Sequence, residues 1–148
     1  MLKTKRFLYN ILKDKYDFGC FAIVGARGVG KTILLKQLSN DYINTVYLDL
    51  SEVSTDSFDI EEYILKYKEG GIKRFCFDEV CKLDSSLYAS FISTIKLFCS
   101  ELTFFISGSV AVLVEDICNQ IGRGYAYDLP PIMYIERLSW EEGYTEVS

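Results

Sequence analysis

The residues with the clearest chemistry are Gly25-Ala26-Arg27-Gly28-Val29-Gly30-Lys31-Thr32, which satisfy G-x-x-x-x-G-K-[ST] at every position. Glycines allow backbone conformations closed to other residues and let phosphate oxygens approach the N–H groups. A helix starting near Lys31 points its positive dipole end at the same place. Lys31 adds a mobile charge able to reach β- and γ-phosphates, and Thr32 a hydroxyl for magnesium. The pattern predicts a phosphate-binding loop formed by Gly25 through Thr32.

A second group is Lys73-Arg74-Phe75-Cys76-Phe77-Asp78-Glu79, an apolar strand ending in two carboxylates. After such a loop, Asp78 is placed to hold magnesium and Glu79 to polarise an attacking water. A third group, Ser107-Gly108-Ser109, follows another apolar strand. Ser107, at the strand end, is the candidate to hydrogen-bond a γ-phosphate or the water; Ser109 is equally suited to capping the next helix. Arg123, between two glycines, is either an arginine finger, in cis or towards a neighbouring subunit, or a solvated loop residue. Arg27 lies inside the loop and is expected to face solvent. Asp49 ends a strand and has only a weak claim on the site. No Asn-Lys-x-Asp occurs, so ATP is expected rather than GTP.

These groups need elements to hold them. Cys20–Val24 is a continuous apolar run, as in a strand buried on both faces, followed by the glycine loop and a helix from Lys31 to about Leu38. Val46–Leu50 forms the next strand. Ile60, Tyr63, Ile64 and Tyr67 have helical spacing, with Asp56 or Ser57 as cap and Gly70-Gly71 as stop. Phe75–Phe77 is the third strand. Asp84 caps a helix carrying Leu87, Tyr88, Phe91, Ile92, Ile95 and Phe98. Leu102–Ile106 is the fourth strand, then a helix runs through about Cys118, and Ile132–Ile135 forms a last strand. Phe7, Leu8, Ile11 and Leu12, ringed by basic residues, predict an amphipathic helix at the start. Alternating strands and helices predict an α/β fold: a mainly parallel sheet with helices on both faces and ligands at the carboxyl ends of the strands.

Composition narrows the function. At 148 residues, one domain is expected, and 49% hydrophobic residues exclude general disorder. Histidine is absent, which excludes His triads and His metal sites. A net charge of -5 argues against nucleic-acid binding by this core. The five cysteines include no CxxC, so reduced core thiols in a cytoplasmic protein are expected. The longest uncharged run, Leu102–Val114, is too short to span a bilayer, and the start does not read as a signal peptide.

Taken together, GARGVGKT, FCFDEV, FFISGSV, the Gly122-Arg123 pair and the closing Leu138-Ser139-Trp140-Glu141-Glu142 resemble AAA-type P-loop ATPases of the group that includes the archaeal ATPase and AAA-14 families. The resemblance implies a three-layer P-loop NTPase fold with five strands in the order 5-1-4-3-2. It also implies ATP and Mg2+ as cofactors, Lys31 and Thr32 on phosphate and magnesium, Asp78 on magnesium, Glu79 as base and Ser107 as sensor. The stretch Tyr125–Met133, with Pro130-Pro131, is longer than the family's usual link from the Gly-Arg pair to the last strand. Family members continue into a helical lid after the Leu-Ser-aromatic-acidic signature, so residues 1–148 are expected to be the ATPase core without that lid. The activity expected is Mg-dependent ATP hydrolysis. The alternative is a nucleotide-dependent interaction switch with little turnover. A small P-loop kinase is disfavoured because no Arg-rich lid is visible. The expected partners are ATP or ADP and a protein or second copy, not a membrane.

Overall fold

Five parallel strands form one sheet in the order β2-β3-β4-β1-β5, which is the expected 5-1-4-3-2 counted from the other edge. The computed structural model describes residues 18–25, 30–53, 57–122 and 124–128. Along the chain these are β1 (Gly19–Val24), α1 (Lys31–Asp41), β2 (Thr45–Asp49), α2 (Ile60–Glu69), β3 (Arg74–Asp78), α3 (Ser85–Phe98), β4 (Thr103–Gly108), α4 (Ala111–Ile121) and β5 (Gly124–Asp128). Short 3-10 turns follow β2 (Leu50–Glu52) and β3 (Val80–Lys82). The N-terminal amphipathic helix, Ala26–Val29, Asp56, Arg123 and the Leu138–Glu142 signature lie outside the described residues.

The continuous apolar runs serve two faces at once, because successive side chains of a strand point to opposite sides. Cys20, Ala22, Phe75, Phe77, Phe104 and Ile106 face α2, α3 and α4 through Ile64, Phe91, Ile95, Val114 and Ile117. Phe21, Ile23, Cys76 and Phe105 face α1 through Leu34, Leu35 and Leu38. Each large side chain buried in this way contributes about 1.5–3 kcal/mol of transfer free energy. The result is a three-layer sandwich whose sheet is covered on both faces, as its all-parallel pairing requires.

The helix boundaries follow local chemistry. Asp59, not Asp56 or Ser57, caps α2: its carboxylate accepts from the Glu62 N–H at 3.1 Å, and Asp59 with Glu62 has the spacing of a capping box. Asp84 caps α3 as expected, accepting from the Ser86 N–H at 3.2 Å. Helix α4 continues past Cys118 to Ile121 and stops at Gly122, whose N–H donates to the Cys118 carbonyl at 3.1 Å. No described helix is long and apolar enough to cross a membrane.

The fifth strand is the largest correction. Strand β5 is Gly124–Asp128, paired with β1 from Cys20↔Gly124 to Val24↔Asp128. It begins immediately after position 123, so the stretch expected to be a long link opens as the strand itself. Ile132–Ile135, the segment expected to form it, lies outside the described residues. As an edge strand, β5 does not need an unbroken apolar run: Tyr125 is exposed yet stacks on Phe21 at 5.7 Å. Gly124 is required by close approach, since a Cβ there would lie 2.6 Å from Cys118 Cα and 2.8 Å from the Cys118 carbonyl oxygen. Backbone atoms cannot step aside as a side-chain tip can. Gly124→Ala is therefore expected to cost about 1–3 kcal/mol through overpacking, read as a lower denaturation midpoint at unchanged slope. An unchanged midpoint would show that α4 and β5 are not held this closely.

The five cysteines are free; Cys20, Cys76, Cys99 and Cys118 are buried and Cys81 is half-buried. Burial pushes the Cys118 thiol up to about 11 and holds Cys20 and Cys76 well above the ordinary range, so these thiols stay protonated and inert.

Candidate nucleotide-binding site

The site forms where β1, β3 and β4 end. Asp78 is two residues beyond Cys76, and Ser107 two beyond Phe105. Cys76 and Phe105 both face α1, so strand alternation turns Asp78 and Ser107 to that side as well. Helix α1 starts directly after the glycine loop, so the loop's Lys and Thr arrive on the face that carries the acidic residue.

Gly25 and Gly30 bound the loop. The Gly25 N–H donates to the Gly108 carbonyl at 3.3 Å, tying the end of β1 to the end of β4. Gly30 has φ 97°, a left-handed conformation that side chains resist, and it starts α1 without bringing a side-chain acceptor to the first turn. Lys31 is buried, and its Nζ donates to the Gly25 carbonyl at 2.6 Å, back across the loop. Gly28 with Ala26, Arg27 and Val29 completes the motif outside the described residues.

Asp78 is the hub, at 1% exposure. Its Oδ2 accepts from the Thr32 hydroxyl and from the Tyr47 hydroxyl, each at 2.6 Å. Its Oδ1 accepts from the Ser107 hydroxyl. A carboxylate this deep is costly unless its lone pairs are satisfied, and three hydroxyls from three separate elements satisfy them. Burial first, then the hydrogen bond to Asp78 and its charge, push the Tyr47 phenol far above its ordinary value and keep it a protonated donor.

Glu79 has φ 60° and ψ 51°; among the described residues it is the sole non-glycine with positive φ. That conformation costs roughly 1–2 kcal/mol for an L-residue. Two bonds hold it: the Glu79 N–H donates to Ser107 Oγ at 2.9 Å, and its carbonyl accepts from the Lys82 N–H at 3.0 Å. Backbone strain of this kind is a recurrent mark of functional sites.

The structure thus gathers Lys31, Thr32, Asp78, Glu79 and Ser107, all expected from sequence. Ser107 is fully buried, with its hydroxyl donating to Asp78 and accepting from the Glu79 N–H. Ser109 does not cap α4, whose N-cap position is Val110 and has no side-chain bond. Asp49 is a local cap, accepting from the Ser51 N–H at 3.0 Å and the Ser51 hydroxyl at 2.7 Å. Tyr47 was missed. Its sequence signal was only strand membership, and its reach to Asp78 depends on a pairing that local pattern does not reveal.

The donor set fits magnesium in one particular way. Among the described residues no group of three or more His, Cys, Asp or Glu could hold a metal by itself. The hard oxygens of Thr32 and Asp78 adjoin each other instead, and magnesium characteristically takes one or two carboxylates together with nucleotide phosphates.

A family model for an AAA domain, AAA_14, matches residues 17–138. The chain belongs to this AAA family. Its match runs from the start of β1 through the phosphate loop, Asp78 and Ser107 and past β5, so every element of the site lies inside it. AAA membership makes the chain a nucleotide-binding, ATPase-type domain. Two AAA structures share the fold: PCH-2 from C. elegans, at TM-score 0.56 and 13% identity over 93% of this chain, and a structure described as the basis for katanin self-assembly, at TM-score 0.62 and 12% identity over 88%. This AAA chain spans about half of each, 48% and 50% respectively. Comparison with curated proteins returns no match.

Proposed function

We propose that this AAA domain binds ATP with Mg2+ and hydrolyses it to ADP and phosphate. The observation that carries the reading is the 2.6 Å contact between Thr32 and Asp78, which joins the phosphate loop to the acidic strand end. In this reading the backbone of Gly25–Gly30 and the start of α1 cradle the phosphates. Lys31 leaves the Gly25 carbonyl for the β- and γ-phosphate oxygens. Thr32 and Asp78 hold the magnesium. When bound, magnesium neutralises charge on the phosphate oxygens. Glu79 takes a proton from water as the water oxygen bonds to the γ-phosphorus and the bond from that phosphorus to the ADP oxygen breaks. Ser107 acts by holding Asp78 and the Glu79 backbone. Arg123 remains the candidate finger, in cis or from another copy. A finger supplied in trans would require self-association, which is the subject of the katanin structure.

Phosphate release tests the proposal. Wild-type chain with Mg-ATP is expected to release phosphate steadily, and omission of Mg2+ to abolish release. Tight ATP binding with no release would overturn hydrolysis and leave a nucleotide-dependent switch.

A further inference from the structure

We propose that Tyr47 is a positioning residue for magnesium, acting through its hydrogen bond to Asp78. The inference rests on the preceding reading that Asp78 holds the ion. Strand β3 lies between β2 and β4, so its terminal carboxylate is reached from both flanks: Tyr47 from β2 and Ser107 from β4, with Thr32 rising from α1.

Tyr47 is in register with Cys76, two residues before Asp78, and packs on the same face under α1. Two residues along a strand span about 6–7 Å, a distance a tyrosine side chain bridges and serine or threonine does not. The ring is half-buried against the apolar cluster that includes Leu34, Leu35, Leu38 and Cys76, with Lys36 Nζ 5.4 Å from its centroid. The ring therefore has packing partners besides the hydrogen bond, and Tyr47→Phe keeps them.

Lone-pair arithmetic gives the hydroxyl a purpose. An ionised carboxylate offers about four acceptor sites. Three are taken, by Thr32, Tyr47 and Ser107. One remains, and with both oxygens tethered the carboxylate cannot turn it elsewhere. The Thr32 hydroxyl keeps its own lone pairs for a cation while donating its single proton to Asp78. Tyr47 and Thr32 together fill Oδ2, so the open acceptor site is on Oδ1 beside Ser107, and the Tyr47 hydroxyl helps hold the carboxylate in the one orientation that presents it. Partners of this kind behind a metal ligand typically change metal affinity by 10–100-fold when removed.

Tyr47→Phe removes the oxygen and keeps the ring. The test is titration of Mg2+ into the full chain bound to a fluorescent ADP analogue, with analogue affinity also measured in EDTA. The Mg2+ concentration for half-maximal response is expected to rise about tenfold in the variant, while affinity in EDTA stays at the wild-type value. A merely structural role would lower the melting temperature or weaken binding equally with and without Mg2+, and either result with an unchanged Mg2+ midpoint would overturn the inference. If wild-type binding itself ignores Mg2+, the assignment of Asp78 fails first, and the inference with it.

Discussion

Glu79→Gln is expected to reduce phosphate release by about 10²–10⁴-fold, the range over which a positioned general base contributes, while leaving ATP bound. The separation of effects follows from which atoms of Glu79 do what. Its backbone N–H holds Ser107 and its carbonyl holds Lys82, and both survive the exchange. Glutamine matches glutamate in size and meets the same left-handed backbone, so the turn after β3 keeps its shape. Only the capacity to accept a proton is lost. Asp78, the hub of the hydroxyl bonds, is untouched, so Mg-nucleotide affinity should match wild type within about twofold, a few tenths of a kcal/mol. The measurement is steady-state phosphate release alongside equilibrium binding on the same preparation. A variant that hydrolyses at the wild-type rate would remove Glu79 from the mechanism. One that loses binding and turnover together would make it a structural residue.

The parts of this site legible in the sequence are those coded by contiguous residues. The strand and helix that flank the glycine loop, the strand ending in Asp78-Glu79 and the strand ending at Ser107 combine apolar runs with polar residues at their ends, and each lies where the pattern predicts it. The sheet order came through resemblance rather than periodicity, because strand alternation says which face a residue takes but not which strand stands beside it. What escaped the sequence depends on distant pairing or on local exceptions. Tyr47 meets Asp78 across 31 positions. Strand β5, Gly-Tyr-Ala-Tyr-Asp, is an edge with exposed tyrosine, and it lacks the continuous apolar run that Ile132–Ile135 offered. The positive φ of Glu79 opposes the preference of its residue type, so no propensity argument could predict it. Ser107 lies in β4 as the pattern predicts, but its bond to Asp78 on the neighbouring strand depends on strand pairing that local pattern does not reveal.

The second large effect concerns Lys31. Its ammonium is buried and donates to the loop's own Gly25 carbonyl at 2.6 Å, so it sits inside the cradle rather than beside it. A phosphate entering the loop offers charged oxygens in place of a neutral carbonyl, and hydrogen bonds between charged groups are worth about 1.5–3 kcal/mol. Lys31→Ala is therefore expected to weaken Mg-ATP binding by about 10–100-fold. Arginine is not expected to rescue it, because its planar fork cannot occupy the site of a compact point charge.

Calorimetric titration of the wild-type chain and Lys31→Ala with Mg-ATP tests the central claim, that Gly25–Thr32 and Asp78 form one nucleotide site. Saturable one-to-one binding by the wild type, weakened about 10–100-fold in the variant, is the result expected. Equal affinity in the two proteins, or no binding by the wild type, would contradict it.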